Sequence, residues 1–193
     1  MAGSEIIVCG QRFDIDHKVV TFEDEKGYSH YLPHCYRKPD RVYPSHPAPG
    51  LSDRMLRYSA RSFMGRNWKE RLSPQRAMRK LKRGVKQFLI HMDGCRDAYM
   101  CYLVLHDQRG LSVHFMVDND GTIYQALDLA DRGFHGGGVN NTSIGVELQN
   151  RGRAKKGKED YYSKLKLPHR DIVTCKVHGF LFRAFDFSEG QYQ

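Results

Sequence analysis

The sequence SVHFMVDNDGTIYQ, residues 112–125, gives the strongest indication of this chain's fold. Apolar and β-branched residues on both sides of an Asp-Asn-Asp-Gly segment indicate two short strands, at 112–117 and 122–126. The Asp120-Gly121 pair predicts a tight turn between them, because glycine tolerates the positive φ that such turns need. The stretch therefore predicts a β-hairpin.

The segments around the hairpin extend it into a sheet. Residues 85–91 have the apolar composition of a buried strand, and residues 96–105 that of a helix packed on a sheet. Residues 143–149 are predicted to form a further strand. The order strand, helix, hairpin, loop, strand predicts an α/β fold with a mixed central β-sheet flanked by helices.

The first 83 residues have a different character. Residues 5–9 and 17–22 are predicted to be short strands, and the prolines between positions 33 and 49 indicate an extended loop. Ser73-Pro74 indicates the start of a helix, with serine as the N-cap. We therefore divide the chain into an N-terminal arm or docking region at 1–83, partly extended, and a domain at 84–193.

Three residues with catalytic potential follow in order within that second domain. His91 ends a strand, His135 lies in the glycine-rich segment Phe-His-Gly-Gly-Gly, and Glu147 lies in an apolar strand. A neutral imidazole at a strand end can bind zinc, and a glycine-rich loop lets a bulky substrate approach the backbone. A buried glutamate near a metal can take a proton from bound water and return it to a leaving amine.

Residues 112–125, the aromatic-His-Gly segment at 134–136 and the Ser-Ile-Gly-Val-Glu strand at 143–147 together resemble two related families. These are the type 2 N-acetylmuramoyl-L-alanine amidases and the peptidoglycan recognition proteins. The resemblance covers residues 88–150. It implies an amidase-like domain at 84–193, a hydrolase of cell wall degradation, and zinc-dependent hydrolysis of the amide between N-acetylmuramic acid and L-alanine in peptidoglycan.

The resemblance also implies roles for particular residues. His91 matches the first zinc ligand of the family, and Glu147 matches the glutamate that activates the zinc-bound water. His114 matches a histidine near the sheet, for which we expect a structural role. The residues expected to bind substrate or to shape the edge of its groove are His135, Gly136, Tyr124 and Asn141.

The chain departs from the family pattern in two places. Val113 stands where some phage members have a catalytic tyrosine, so Glu147 would carry more of the proton transfer. The C-terminal segment that supplies the family's other two zinc ligands is missing, and His178 and Asp186, or His169, are the in-chain candidates. Because a catalytic zinc takes about three protein ligands, we expect the domain to be incomplete at its C-terminus, or a second chain or C-terminal fragment to complete the site.

Composition leaves the partner open and bears on the location. The 193 residues carry a formal net charge of +9, which favours polyanionic partners such as cell wall, anionic lipid or nucleic acid. No signal peptide and no stretch of roughly 20 apolar residues is seen, so we expect no membrane span. We expect synthesis in the cytoplasm, with another delivery route if the protein acts in the cell wall or periplasm.

Two other functions stay open from the sequence. A non-catalytic module that binds peptidoglycan fragments would account for the missing ligands, although it would have no need of Glu147. A nucleic-acid-binding protein would account for the basic blocks at 66–83 and 151–176, but the chain has no recognisable nucleic-acid motif. Salt-dependent DNA binding without affinity for wall fragments would favour the nucleic-acid function.

Overall fold

The computed structural model describes residues 3–32 and 56–149, and the backbone of residues 175–177 and 180–182. Its strands are β1 Gly3–Val8, β2 Gln11–Thr21, β3 Tyr58–Ala60, β4 Gln87–Met92, β5 Phe115–Val117, β6 Ile123–Gln125, β7 Asp131–Gly133, β8 Ser143–Leu148, β9 Cys175–Val177 and β10 Phe180–Phe182. Its helices are α1 Trp68–Arg71, α2 Pro74–Gly84, α3 Ala98–Tyr102, a π-helix Leu103–Arg109 and a 3-10 helix Gly137–Val139.

A six-stranded mixed sheet organises the part of the chain up to residue 149. Its order is β1-β2-β6-β5-β8-β4. The strands β8 and β4 pair in parallel, as do β5 and β8, whereas β5 and β6 form the predicted antiparallel hairpin. Gly121 lies at the turn with φ 81°, as its position after Asp120 predicts. The predicted α/β class with a mixed central sheet is confirmed.

The N-terminal strands belong to this same sheet. β2 pairs in parallel with β6, and β1 pairs with β2. The side-chain amide of Gln125 accepts from Ile7 N and donates to Ile7 O, each at 2.7 Å. Residues 3–21, assigned from the sequence to an arm or docking region, are thus built into the sheet. The pairing of β1 with β2 is local, but the pairing of β2 with β6 joins residues about a hundred positions apart, such as Val19 and Ile123, and neither strand's own sequence indicates it.

Two apolar clusters cover the two faces of the sheet. On one face α2 buries Ala77 and Leu81 in a cluster that also includes Trp68, Phe115 and Val146. On the other face Ala98, Cys101 and Leu105 of α3 and the π-helix pack with Val113 and Met116. Successive strand residues point to opposite faces, which is why Phe115 and Met116 serve different clusters.

The two helices that frame the sheet begin where side chains can cap them. The Ser73 hydroxyl accepts from Arg76 N and Pro74 is the first helical residue, which confirms the predicted start of α2. The Asp97 carboxylate accepts from Met100 N at the start of α3. The sequence predicts one helix over 96–105, but the chain changes to a π-helix after Tyr102 and continues to Arg109, where Gly110 ends it in a left-handed conformation.

The described residues fall in two compact units, Met1–Ala154 and Lys155–Gln193. The six-stranded sheet lies in the first unit, whereas β9 and β10 form an antiparallel pair in the second. Within the described part of the chain, no helix has the length and apolar character needed to cross a membrane.

Candidate active site

Strand register places two of the predicted site residues side by side. His91 is the register partner of Glu147 across the parallel pair β4 and β8. On the other side of β8, the register partner of Glu147 is Met116. Register partners on adjacent strands point to the same face and lie about 4.8 Å apart. The carboxyl group of Glu147 therefore lies between His91 and the apolar cluster beneath α3.

His135 reaches the same face of the sheet because the residue of β8 beneath its ring, Gly145, has no side chain. A Cβ built on Gly145 would lie 2.6 Å from the His135 ring, so the ring packs directly on the backbone of β8. The Nδ1 atom of His135 then lies 3.4 Å from Nε2 of His91. Gly145 and Glu147 are two residues apart on one strand and share a face. The structure thus brings His91, His135 and Glu147 together.

The loop that carries His135 is held by a short local network. The side-chain oxygen of Asn140 accepts from the backbone N–H groups of His135 and Gly136, at 3.1 Å and 2.6 Å. Gly136 also lies close to β4, where a Cβ would come within 2.5 Å of Leu89. A larger residue at 136 would need the side chains of Leu89 and Val139 to move for the loop to lie against the sheet in this way.

Glu147 has the environment of a group that exchanges protons near neutral pH. Its side chain is only 6% exposed, and within the described residues its Oε2 atom has no hydrogen-bond partner. Burial raises the pKa of Glu147 to about 7, the carboxylate of Asp93 adds to the rise, and the Arg109 guanidinium opposes it. Such a carboxyl group can both accept and donate a proton at neutral pH.

Burial also keeps the two histidines neutral. It lowers the pKa of His91, and it lowers the pKa of His135 to about 4, with the neighbouring His91 ring and the Arg61 guanidinium acting in the same direction. A neutral imidazole offers one nitrogen lone pair for a metal ion or a hydrogen-bond donor. The Nε2 atom of His135 is buried without a hydrogen-bond partner among the described residues.

A pocket opens beside Glu147, between the end of the sheet and the helical segment that covers it. The π-helix supplies one wall. The residues around the pocket are His91, Met92, Asp93, Cys95, Cys101, Val104, Leu105, Arg109 and Glu147. Asp93 and Arg109 are not among the site residues predicted from the sequence. Asp93 could have been predicted as a pocket residue, because it lies two positions after His91 in the sequence. Arg109 could not, because only the π-helical turn brings it to the pocket.

Tyr124 and Asn141, which were also predicted to bind substrate, lie away from the pocket beside Glu147. Tyr124 is the register partner of Met116, and its ring lies 4.7 Å from that of Tyr28. The side-chain amide of Asn141 accepts from Ser62 N at 2.7 Å and donates to the Ser62 hydroxyl at 2.8 Å. Neither residue lines the pocket beside Glu147. Their roles in substrate binding stay predictions.

His114 is held entirely by the protein. It is fully buried, and its Nδ1 atom accepts from Gly145 N at 3.1 Å, so the neutral ring carries its proton on Nε2 and donates to Asp131 O at 3.0 Å. Burial, with the nearby charge of Arg61, lowers the pKa of His114 to about 3. These contacts agree with the structural role expected for it.

Arg61 is a residue of the site region that the sequence analysis does not single out. Its side chain is fully buried. It donates to the backbone carbonyls of residues on both sides of the His135 loop, among them Leu129, Asn141 and Ser143, at 2.8–3.0 Å. A buried guanidinium that reaches several carbonyls fixes the backbone around it, so Arg61 positions the loop that presents His135.

The described residues by themselves do not fit a catalytic zinc ion. No group of three or more His, Cys, Asp or Glu side chains among them is arranged to hold a metal. A catalytic zinc takes about three protein ligands, of which only His91 of the expected set is placed. The other candidates, His169, His178 and Asp186, lie outside the described residues.

The fold and this site define an α/β protein whose sheet presents a buried carboxyl group next to two histidines. The chain belongs to the N-acetylmuramoyl-L-alanine amidase family, whose model matches residues 79–178, just over half of the 193 residues. No curated protein sequence matches the chain significantly.

Two solved structures show similarity to the chain. One is AmiD from E. coli, in complex with the substrate anhydro-N-acetylmuramic acid-L-Ala-D-γ-Glu-L-Lys, at 25% identity over 42% of this chain and 40% of that chain, with a TM-score of 0.32. The other is AmpD, at 16% identity over 64% of this chain and 65% of that chain, with a TM-score of 0.35. The match thus spans less than two thirds of either protein. Neither comparison supports the expectation of a second chain that completes the site.

Proposed function

We propose that this chain hydrolyses the amide bond between N-acetylmuramic acid and L-alanine in peptidoglycan, with Glu147 as the acid–base group. The observation that carries the proposal is the placement of Glu147. Its carboxyl group is buried at a pocket, beside His91, with one oxygen free of hydrogen bonds to the described residues. Burying a carboxyl group in this way costs stability, and such groups are concentrated at functional sites. Membership of the amidase family gives the reaction class.

The proposed reaction needs one residue that first accepts and then donates a proton. Glu147 takes a proton from the attacking water as the oxygen–carbon bond to the lactyl carbonyl forms. It then gives that proton to the alanine nitrogen as the carbon–nitrogen bond breaks, which releases a carboxylic acid and a free amine. The acid then loses its proton to solvent at neutral pH. The pKa of Glu147, raised to about 7 by burial, makes both forms accessible at neutral pH.

The two histidines support this chemistry by lying next to the carboxyl group in neutral form. His135 lies beside His91 but does not line the pocket. Its buried Nε2 atom has no partner among the described residues, so it would bind a polar group of the substrate only if the loop shifts to expose it. Gly136 keeps the loop backbone against β4, which leaves room for a glycan or peptide above it.

Zinc dependence is part of the proposal, with His91 as a ligand. The remaining ligands would come from residues outside the described ranges. Elemental analysis after dialysis against metal-free buffer tests this part. About one zinc per chain, reduced in a His91→Ala variant, would support it, whereas zinc-free protein that retains full activity would contradict it.

The acid–base role is tested by replacing Glu147 with glutamine, which keeps the shape of the side chain and removes its ability to exchange protons. We expect the release of free L-alanine amine from a muramyl peptide to fall by about 10²–10⁴-fold, while zinc content and unfolding temperature stay near those of the unmodified chain. Glu25→Gln, at an exposed position, is the matched control. Unchanged turnover in Glu147→Gln would refute the proposal, and binding of wall fragments without hydrolysis by the unmodified, zinc-loaded chain would favour a binding module.

A further inference from the structure

The solvent side of α2 carries a row of three arginines. Arg76, Arg79 and Arg83 are exposed, and they lie three and four residues apart. At 3.6 residues per turn, these positions fall within about 60° of one another around the helix, away from the side that buries Ala77 and Leu81. Along the axis they span about 10 Å, because each residue rises about 1.5 Å. The three guanidinium groups therefore start from one line on the surface of the molecule.

The surface around this row is strongly basic. Its exposed cations, which we call the basic surface, are Arg66, Lys69, Arg71, Arg76, Arg79, Lys82, Arg83 and Lys86. Glu70 is the one acidic residue in the same stretch of sequence. Within the described ranges only Lys69 of this set has a carboxylate at ion-pair distance, that of Asp131. An anionic ligand would therefore meet little competition from carboxylates of the protein.

The stability of α2 does not explain the row. Like charges four residues apart weaken a helix, and a cation in the first turn opposes the helix dipole. Both features are present, since Arg79 and Arg83 are four residues apart and the first turn holds Arg76 but no acidic residue. The helix is stabilised instead by its buried side, through Ala77 and Leu81. An arrangement that does not stabilise the helix favours a role in binding.

The basic surface offers charge without apolar or aromatic contacts. None of the exposed large apolar side chains among the described residues lies on α1 or α2, and Trp68 of α1 is buried. A helix that binds a membrane inserts apolar side chains, and a site for single-stranded nucleic acid stacks bases on aromatic rings. Arginine pairs closely with phosphate groups. The surface therefore fits a partner that presents a series of phosphate charges.

The basic surface and the pocket are separate. Glu147 shares its face of the sheet with Met116, which packs in the cluster beneath α3. The buried residues of α2 belong to the cluster on the opposite face. A ligand on α2 therefore leaves the pocket open, so the two places can be occupied at the same time.

We propose that the basic surface binds an anionic polymer of repeating phosphodiester groups attached to the peptidoglycan that this chain cuts. The choice of a wall polymer rests on the proposed function. Exposed ion pairs are individually weak, so a row of three arginines holds a free polymer only loosely. A polymer linked to the substrate makes such a weak contact effective, because it raises the local concentration of cleavable bonds at the pocket. Free DNA has no such link to the substrate.

The test measures binding of the full chain, with Glu147→Gln to keep the wall intact, to two kinds of probe. One is purified cell wall that carries a phosphodiester polymer, before and after hydrofluoric acid removes that polymer, with bound protein measured by sedimentation. The other is soluble poly(glycerol phosphate), measured by calorimetry. We expect more protein on the untreated wall than on the treated wall, and binding to poly(glycerol phosphate) that weakens as salt is added.

Two triple variants assign this binding to the row. Arg76→Gln/Arg79→Gln/Arg83→Gln should weaken binding of poly(glycerol phosphate) about 3- to 100-fold, the range of three exposed ion pairs. The slope of log affinity against log salt concentration should fall by about 2. Arg76→Lys/Arg79→Lys/Arg83→Lys should keep most of the affinity, because it retains the charges.

A third triple variant controls for net charge. Arg12→Gln/Lys18→Gln/Lys26→Gln also removes three exposed positive charges, from β2 and the loop after it. It should bind both probes as the parent chain does. Circular dichroism checks that each variant is folded.

Equal binding to treated and untreated wall would overturn the inference, as would no binding of poly(glycerol phosphate) or an equal loss in the control variant. Tighter binding of duplex DNA or of phosphatidylglycerol vesicles, at equal phosphate concentration, would assign the surface to another partner and overturn it too. Failure of the proposed function looks different. In that case the unmodified chain would release no amine from the wall, while polymer binding, and its loss in the arginine-to-glutamine variant, would persist.

Discussion

Replacing Gly145 by alanine would place a methyl group against the ring of His135. The added Cβ would lie 2.6 Å from ring atoms Cγ and Nδ1, about 1 Å closer than the ~3.5–4.0 Å of ordinary contacts between such atoms. The strand cannot move away easily, because it is hydrogen-bonded on both sides. We therefore expect the ring of His135 to move by about 1 Å.

The close contact in Gly145→Ala should reduce both the stability of the chain and its rate of amide hydrolysis. Overpacking of this kind costs about 1–3 kcal/mol. For a chain of this length, that corresponds to a fall of about 2–12 °C in unfolding temperature. A displacement of about 1 Å beside the reacting group costs on the order of 10²-fold in rate. Thermal unfolding followed by circular dichroism and an assay of amine release measure the two effects separately.

Two variants make the test specific for the contact with His135. Gly138→Ala adds the same methyl group where nothing lies within 4 Å, and it should change neither stability nor rate. The double variant His135→Ala/Gly145→Ala removes the ring, so the added methyl group should cost much less in that background. The reasoning is refuted if Gly145→Ala unfolds at the unmodified temperature, or if its penalty is the same with and without the ring.

Two further predictions concern charge. Burial raises the folded-state pKa of Glu147 from the ordinary 4.5 to about 7, so the folded, metal-free chain keeps a proton that the unfolded chain has released between these values. Its free energy of unfolding should therefore fall as pH rises from about 4.5 to 7, and urea titrations should show no such component in Glu147→Gln. Asp128→Ala removes the carboxylate that accepts from Cys9 N, Gly10 N and Ala130 N. It should lower the free energy of unfolding by at least about 1–3 kcal/mol and speed amide exchange at residues 7–10, whereas unchanged exchange there would show that the β1–β2 turn is held by other contacts.

Local sequence signals were enough for the hairpin, whereas a common site for His91 and Glu147 was expected from the resemblance to the amidase family. The turn at Gly121 depends on backbone conformation alone, and the start of α2 depends on neighbouring residues, so both can be read over a few positions. His91 and Glu147 each lie near the end of an apolar segment, and parallel pairing of the two strands places them side by side.

Other parts of the fold depend on contacts that no short stretch contains. The N-terminal strands join the sheet through the pairing of β2 with β6, and the side chain of Gln125 also bonds Ile7, 118 residues away. Arg61 lies in a basic, unremarkable stretch, and only the folded chain brings four backbone carbonyls around it. The π-helix that places Arg109 at the pocket arises from a change in hydrogen-bond register, which helix propensities do not report.

The two walls of the pocket differ in how freely they can change. β8 is hydrogen-bonded to β4 and β5, so loss or gain of a residue near Glu147 would shift two strand registers at once. The π-helix opposite pairs with no strand among the described residues. Insertion or loss of one residue within Leu103–Arg109 would turn its side chains around the helix axis and leave the pairing of the strands intact. Chains descended from a common ancestor could therefore diversify the ligands they accept through the length of this one segment, while the proton-exchanging carboxyl group stays where it is.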